Sequence, residues 1–143
     1  MIVVGLMALI LSAVGCGGGD STMTAKEFEQ QLKVACKDGA RESNEVYGQI
    51  STLYGEGKRK ATRAFQTENL EKMMGVYENT TEKIAEIGLP DEGEERAEAL
   101  IQAREDAAAK TAADVWGTRE EYGVIFKDAN RLASAYGAGA CTV

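Results

Sequence analysis

Few side chains in this sequence could do chemistry, and their types narrow what that chemistry could be. There is no histidine among the 143 residues. That removes the ordinary neutral-pH general base, the commonest metal ligand and every Ser-His or Cys-His nucleophile. The three cysteines stand at positions 16, 36 and 141. They form no Cys-X-X-Cys pair, and nothing nearby would lower a thiol pKa. Carboxylates are plentiful, but a di-metal site in a helical bundle needs inward Glu together with Glu-x-x-His. The adjacent pair Glu105 and Asp106 falls beside the apolar face of its helix rather than on it. No catalytic residue, metal site or cofactor is expected, and the chain reads as a non-enzyme.

Two other groups could recognise something. Met73, Met74 and the tyrosines Tyr47, Tyr54, Tyr77, Tyr122 and Tyr136 recur at helical spacing. Residues of this kind fill a core, or they line a cavity for a lipid or other apolar ligand. Lys58-Arg59-Lys60 with Arg63 is a basic cluster. It is either a solvated loop or a patch for an anionic partner such as a cell-wall polymer. The net charge of -7 argues against general nucleic-acid binding. It argues equally against electrostatic adhesion to anionic lipid.

These residues are positioned by helices. Thr24-Ala25-Lys26-Glu27 is a capping box ahead of an apolar run. Phe28, Leu32, Ala35/Cys36, Gly39, Ser43, Val46/Tyr47, Ile50 and Leu53/Tyr54 then mark one face of a long first helix. Gly55-Glu56-Gly57 ends it. A second helix starts at Ala61 or Thr67 and runs to Ile87. Its inner face is Leu70, Met73/Met74, Tyr77, Thr80/Thr81, Ile84 and Ile87. Gly88-Leu89-Pro90 is a stop. Asp91 is expected to cap a third helix, with Glu94 at its third position. Ala97, Leu100/Ile101, Arg104, Ala107/Ala108, Thr111 and Val115 form its inner face. The acidic run Asp91-Glu92, Glu94-Glu95 and Glu98 complements the dipole of that helix start.

The last segment allows two readings. The third helix could run on through Trp116 to Tyr136, giving a three-helix bundle. Alternatively, Gly117 breaks it and Thr118-Arg119-Glu120-Glu121 caps a fourth helix. The core face of that helix would be Tyr122, Ile125/Phe126, Ala129, Leu132/Ala133 and Tyr136.

Residues 1–19 carry no charged side chain, and Ile2 to Val14 are almost wholly apolar. That length suits a signal-peptide core and is too short for a spanning helix of ~20 residues. Ala13-Val14-Gly15-Cys16 follows and resembles the lipobox of bacterial lipoproteins. The resemblance implies that the Cys16 thiol carries diacylglycerol and that the leader 1–15 is removed. Residues 16–23 would then be a Gly-rich tether and 24–143 the folded domain. Two acyl chains suffice for stable anchoring. Together with an early helical cysteine and the Gly-Ala-Gly-Ala-Cys tail, this pattern resembles small helical lipoproteins of Gram-positive, high-GC bacteria. These mostly have no assigned activity.

With Cys16 committed to lipid by that resemblance, one pairing remains in an oxidising compartment: Cys36 with Cys141. The pairing bears on topology. Cys36 precedes Tyr54 by 18 residues, ~27 Å of helix. A three-helix arrangement leaves Cys141 at the Tyr54 end, far beyond the ~7 Å a disulfide allows between Cα atoms. A fourth helix from Thr118 to Tyr136 spans the same ~27 Å back towards Cys36. An all-α, antiparallel up-down-up-down four-helix bundle is therefore expected, with the three-helix bundle as the alternative. The acidic end would face the membrane and the basic cluster would point away.

The expected role is that of a membrane-anchored, extracytoplasmic lipoprotein, a non-enzymatic interaction or structural component of the cell envelope. The alternative is a module that binds lipid or another apolar small molecule in the bundle interior.

Overall fold

The computed structural model describes residues 23–57, 62–113 and 119–142. Among them every regular element is helical: α1 (Ala25–Gly55), α2 (Arg63–Glu86), α3 (Glu94–Ala113), α4 (Arg119–Ile125), α5 (Lys127–Ala135) and a short 3-10 turn, Gly139–Cys141. None of the described helices is long and apolar enough to cross a membrane. The leader, Cys16 and the tether up to Thr22 lie outside the described residues, as do Lys58, Arg59, Lys60, Val115, Trp116, Gly117 and Thr118.

The helix boundaries follow local chemistry. Thr24 caps α1: its hydroxyl accepts from the Glu27 N–H at 3.2 Å, while the Glu27 carboxylate accepts from the Thr24 N–H at 2.9 Å. Thr62 caps α2 through the Phe65 N–H at 3.2 Å. Gly88 follows the end of α2 at positive φ, as the stop signal requires. The start of α3 differs from expectation. Asp91 is not its cap, because the helix opens only at Glu94; the Asp91 N–H donates to Met23 O at 3.0 Å. Gly93 O takes the first helical bonds, from the Arg96 and Ala97 N–H groups, and Glu94 opens the helix.

Two apolar clusters form the core. The first gathers Phe28, Leu32 and Cys36 of α1 with Ile84, Ala97, Leu100, Ala133, Tyr136 and Cys141. Phe28 and Tyr136 meet edge-to-face with ring centroids 5.4 Å apart. The second gathers Tyr77, Ala107 and Phe126, with Met74, Tyr122 and Ile125 packed against them. Tyr77 and Phe126 meet edge-to-face at 5.1 Å. Gly39 lets α1 and α2 close on each other. A Cβ at that position would lie 2.9 Å from Thr80 Cγ2 and 3.1 Å from Thr80 Cβ, inside normal contact.

The chain after α3 doubles back. Both α4 and α5 pack against α3, which one continuous third helix could not do. The expected single fourth helix is interrupted at Phe126, whose ring turns in between Tyr77 and Tyr122. A Schellman turn closes α5: Ala138 N–H donates to Ala133 O and Gly137 N–H to Ser134 O, with Gly137 at φ +66°. That turn delivers Cys141 to α1, where it pairs with Cys36 across a Cα separation of 4.8 Å. The expected pairing and its closing lengths agree with this geometry.

The buried face of α1 is shorter than its periodicity. Phe28, Leu32, Ala35, Cys36 and Gly39 are buried as expected. Tyr47 and Tyr54 are 68% and 57% exposed. Neither buried cluster contains a residue of α1 beyond Cys36, so the apolar stripe continues where no core reaches it.

Candidate functional site

A cavity of about 520 Å³ lies where α1, α2, α3, α4 and the C-terminal segment converge. Gly39, Ala40 and Ser43 of α1 give it one wall, and their small side chains leave the space open. Leu70, Met73 and Met74 of α2 form the opposite wall, with Tyr122 and Phe126 beside them. The Cys36–Cys141 pair borders it and ties the C-terminal segment to α1. Its wall is predominantly apolar, and its volume lies within the ~300–1,000 Å³ of small-molecule sites.

Of the residues singled out from the sequence, Met73, Met74, Tyr77 and Tyr122 come together on this cavity. Tyr136 lies instead in the first core cluster, where the Arg96 guanidinium stacks over its ring at 4.3 Å. Tyr47 and Tyr54 are on the surface. Of the basic cluster only Arg63 is described, exposed at the start of α2. Glu105 and Asp106 are exposed, and Asp106 accepts from Gln102 at 2.9 Å. Among the described residues, no group of three or more Cys, Asp or Glu side chains could hold a metal ion.

Arg104 is the site residue that sequence reasoning missed. Its spacing marks only a position on the inner face of the third helix. It is 1% exposed and is the largest fully buried side chain among the described residues. Its Nε donates to Thr81 Oγ1 at 3.0 Å, one Nη to Cys141 O at 3.2 Å and the other to Tyr77 O at 3.5 Å. Its guanidinium lies 4.1 Å from the Tyr77 ring centroid, a cation–π contact. Thr81 Oγ1 in turn donates to Tyr77 O at 2.9 Å. The guanidinium thus ties α2, α3 and the C-terminal segment together at the cavity wall.

Every one of these acceptors is neutral. No carboxylate among the described residues pairs with Arg104. Burial pushes its pKa down, and the adjacent Tyr77 opposes that shift; a guanidinium stays charged regardless. Burial likewise pushes the Tyr77 phenol up, opposed by Arg104, so it holds its proton. The Tyr77 hydroxyl is buried without a hydrogen-bond partner. A sequence signal for Arg104 existed. Its neighbours one turn away, Leu100, Ile101, Ala107 and Ala108, are all apolar, so no acid on its own helix face can reach it.

No protein family, curated protein or solved structure matches this chain. The arrangement itself lacks a nucleophile–base pair. Its chemical capacity is to enclose an apolar group beside one buried positive charge.

Proposed function

We propose that this protein is a lipid-anchored, extracytoplasmic, non-enzymatic module that binds an apolar small molecule in the cavity between α1, α2, α3 and α4. The cavity carries the reading. It has about 520 Å³ of space lined by Met73, Met74, Tyr122 and Phe126, in a domain small enough to have packed that space shut. Methionine and aromatic walls adapt to irregular apolar guests. The compartment follows from the lipobox-like Ala13-Val14-Gly15-Cys16 and is supported by the Cys36–Cys141 pair, which persists in oxidising surroundings. The helix order supports an up-down-up-down bundle, with α4 and α5 together as its fourth member.

The binding test is a titration with an environment-sensitive apolar fluorophore. The wild-type chain is expected to bind it saturably with one site. Ala40→Phe, which fills the cavity from α1, is expected to abolish that signal while circular dichroism shows the helices intact. Unsaturable binding, or equal binding by the filled variant, would sink the reading. For the anchor, Cys16→Ala is expected to move the protein out of the membrane fraction and to remove the mass of the lipid.

A second reading, an envelope component that meets a protein or anionic polymer, draws on the exposed Tyr47 and Tyr54 of α1. Photo-crosslinkers placed at those two positions in cells are expected to yield discrete adducts if this reading holds.

A further inference from the structure

Arg104 and Tyr77 leave more hydrogen-bonding capacity at the cavity wall than the protein uses. A guanidinium has five N–H donors in a planar fork. Three are engaged, with Thr81, Cys141 and Tyr77, and all three acceptors are neutral. One N–H on each Nη remains, and guanidinium donors suit a carboxylate or a phosphate. The Tyr77 hydroxyl, on the ring that this guanidinium covers, is buried and unpartnered. Buried charges are normally paired, because removing one from water is costly unless an opposite charge compensates. Leu70, Met73, Met74 and Phe126 make much of the remaining wall apolar.

We infer that the natural ligand is an amphiphile with one anionic head group, whose head is held by Arg104 and Tyr77 and whose tail lies along Met73 and Met74. This deepens the cavity reading and rests on it. A purely apolar guest would leave the Arg104 charge and the Tyr77 hydroxyl as they stand. A free anion would leave the apolar wall without a partner. An amphiphile satisfies both parts. A carboxylate or a phosphate head shares the required chemistry, and the experiment separates the two.

The full chain, with Cys36 and Cys141 oxidised, is titrated calorimetrically with dodecanoate, dodecyl phosphate, dodecanol, acetate and inorganic phosphate. Dodecanoate or dodecyl phosphate is expected to bind at least about tenfold more tightly than dodecanol, the factor that ~1.4 kcal/mol represents. Whichever of the two binds tighter identifies the head group. Acetate and inorganic phosphate are expected not to bind at the same concentrations. Arg104→Met is expected to remove the preference, so that the variant binds the two anions no more tightly than it binds dodecanol. Arg104→Lys, which keeps a charge without the fork, is expected to retain part of the preference. Tyr77→Phe removes only the hydroxyl and is expected to weaken the two anions more than dodecanol. Equal wild-type affinities for dodecanoate, dodecyl phosphate and dodecanol would overturn the role of Arg104 and leave the cavity reading standing. Binding of none of the three would overturn the cavity reading itself. Tight binding of inorganic phosphate or acetate would overturn the amphiphile. The wild-type comparison needs no variant, so it decides the matter even if Arg104→Met fails to fold.

Discussion

Removing the Cys36–Cys141 cross-link is expected to cost this domain much of its stability. The two residues are separated by 105 positions, and their Cα atoms lie 4.8 Å apart. The chain-entropy relation for a loop of that length gives about 4.8 kcal/mol at 25 °C. A typical domain has only ~5–15 kcal/mol in total. Both cysteines are buried, Cys36 in the first core cluster and Cys141 at the end of the 3-10 turn. Cys36→Ala with Cys141→Ala therefore loses packing as well as the loop constraint. For a chain of this size the melting temperature should fall by about 15 °C or more. The assay is thermal melting followed by circular dichroism at 222 nm, oxidised wild type against the double variant. The cross-link also fixes the segment whose Cys141 carbonyl accepts from Arg104, so ligand affinity should fall together with stability. A melting temperature within about 3 °C of wild type, or two titratable thiols in native wild-type protein, would refute the reasoning.

Three further outcomes are expected. Gly39→Ala drives a Cβ into Thr80, whose hydroxyl is already committed to Val76 O at 2.7 Å, and should cost about 1–3 kcal/mol in urea unfolding. Adding Thr80→Ala to that variant should restore part of the loss. The Glu42 carboxyl is held below its ordinary value of 4.5 by its hydrogen bond from Lys83 at 2.9 Å, against a smaller opposing effect of burial. Because the folded-state pKa is the lower one, this pair supports folding above the unfolded value. The support fades as pH falls through the folded value. An NMR titration should place the Glu42 midpoint below 4.5, and Lys83→Ala should move it back up. Thr24→Ala removes the α1 cap and should lower stability by about 1 kcal/mol, with faster amide exchange confined to the first turn.

Much of the helical layout was legible in the linear order of residues. Capping and stop signals act over three or four positions, so Thr24–Glu27 and Gly88 mark real boundaries whatever the rest of the chain does. The inner face of α3 was legible for the same reason: Ala97, Leu100, Arg104, Ala107 and Thr111 are all buried, as their spacing predicts. Signals that depend on a neighbour were less faithful. Asp91 has the composition of a cap, but it is held to Met23, a residue 68 positions earlier, and Gly93 O takes the first helical bonds instead. Phe126 lies on a helical repeat, yet its ring packs between Tyr77 and Tyr122 and the helix breaks there.

The sequence alone determined that the described segments are helical, where α1 begins, and where α1 and α2 end. Those properties follow from local hydrogen bonding and periodicity; the Cys36–Cys141 pairing followed only once the lipobox resemblance set Cys16 aside. Tertiary structure decided which tyrosines are covered, because burial depends on how far the neighbouring helices reach. It also decided that Met73, Met74, Tyr77 and Tyr122 share one wall. Periodicity placed Arg104 on an inner face, but only the packing of α2, α3 and the C-terminal turn around it left its charge without a carboxylate partner. A cavity is the space that several helices fail to fill between them, and no single helix carries that information.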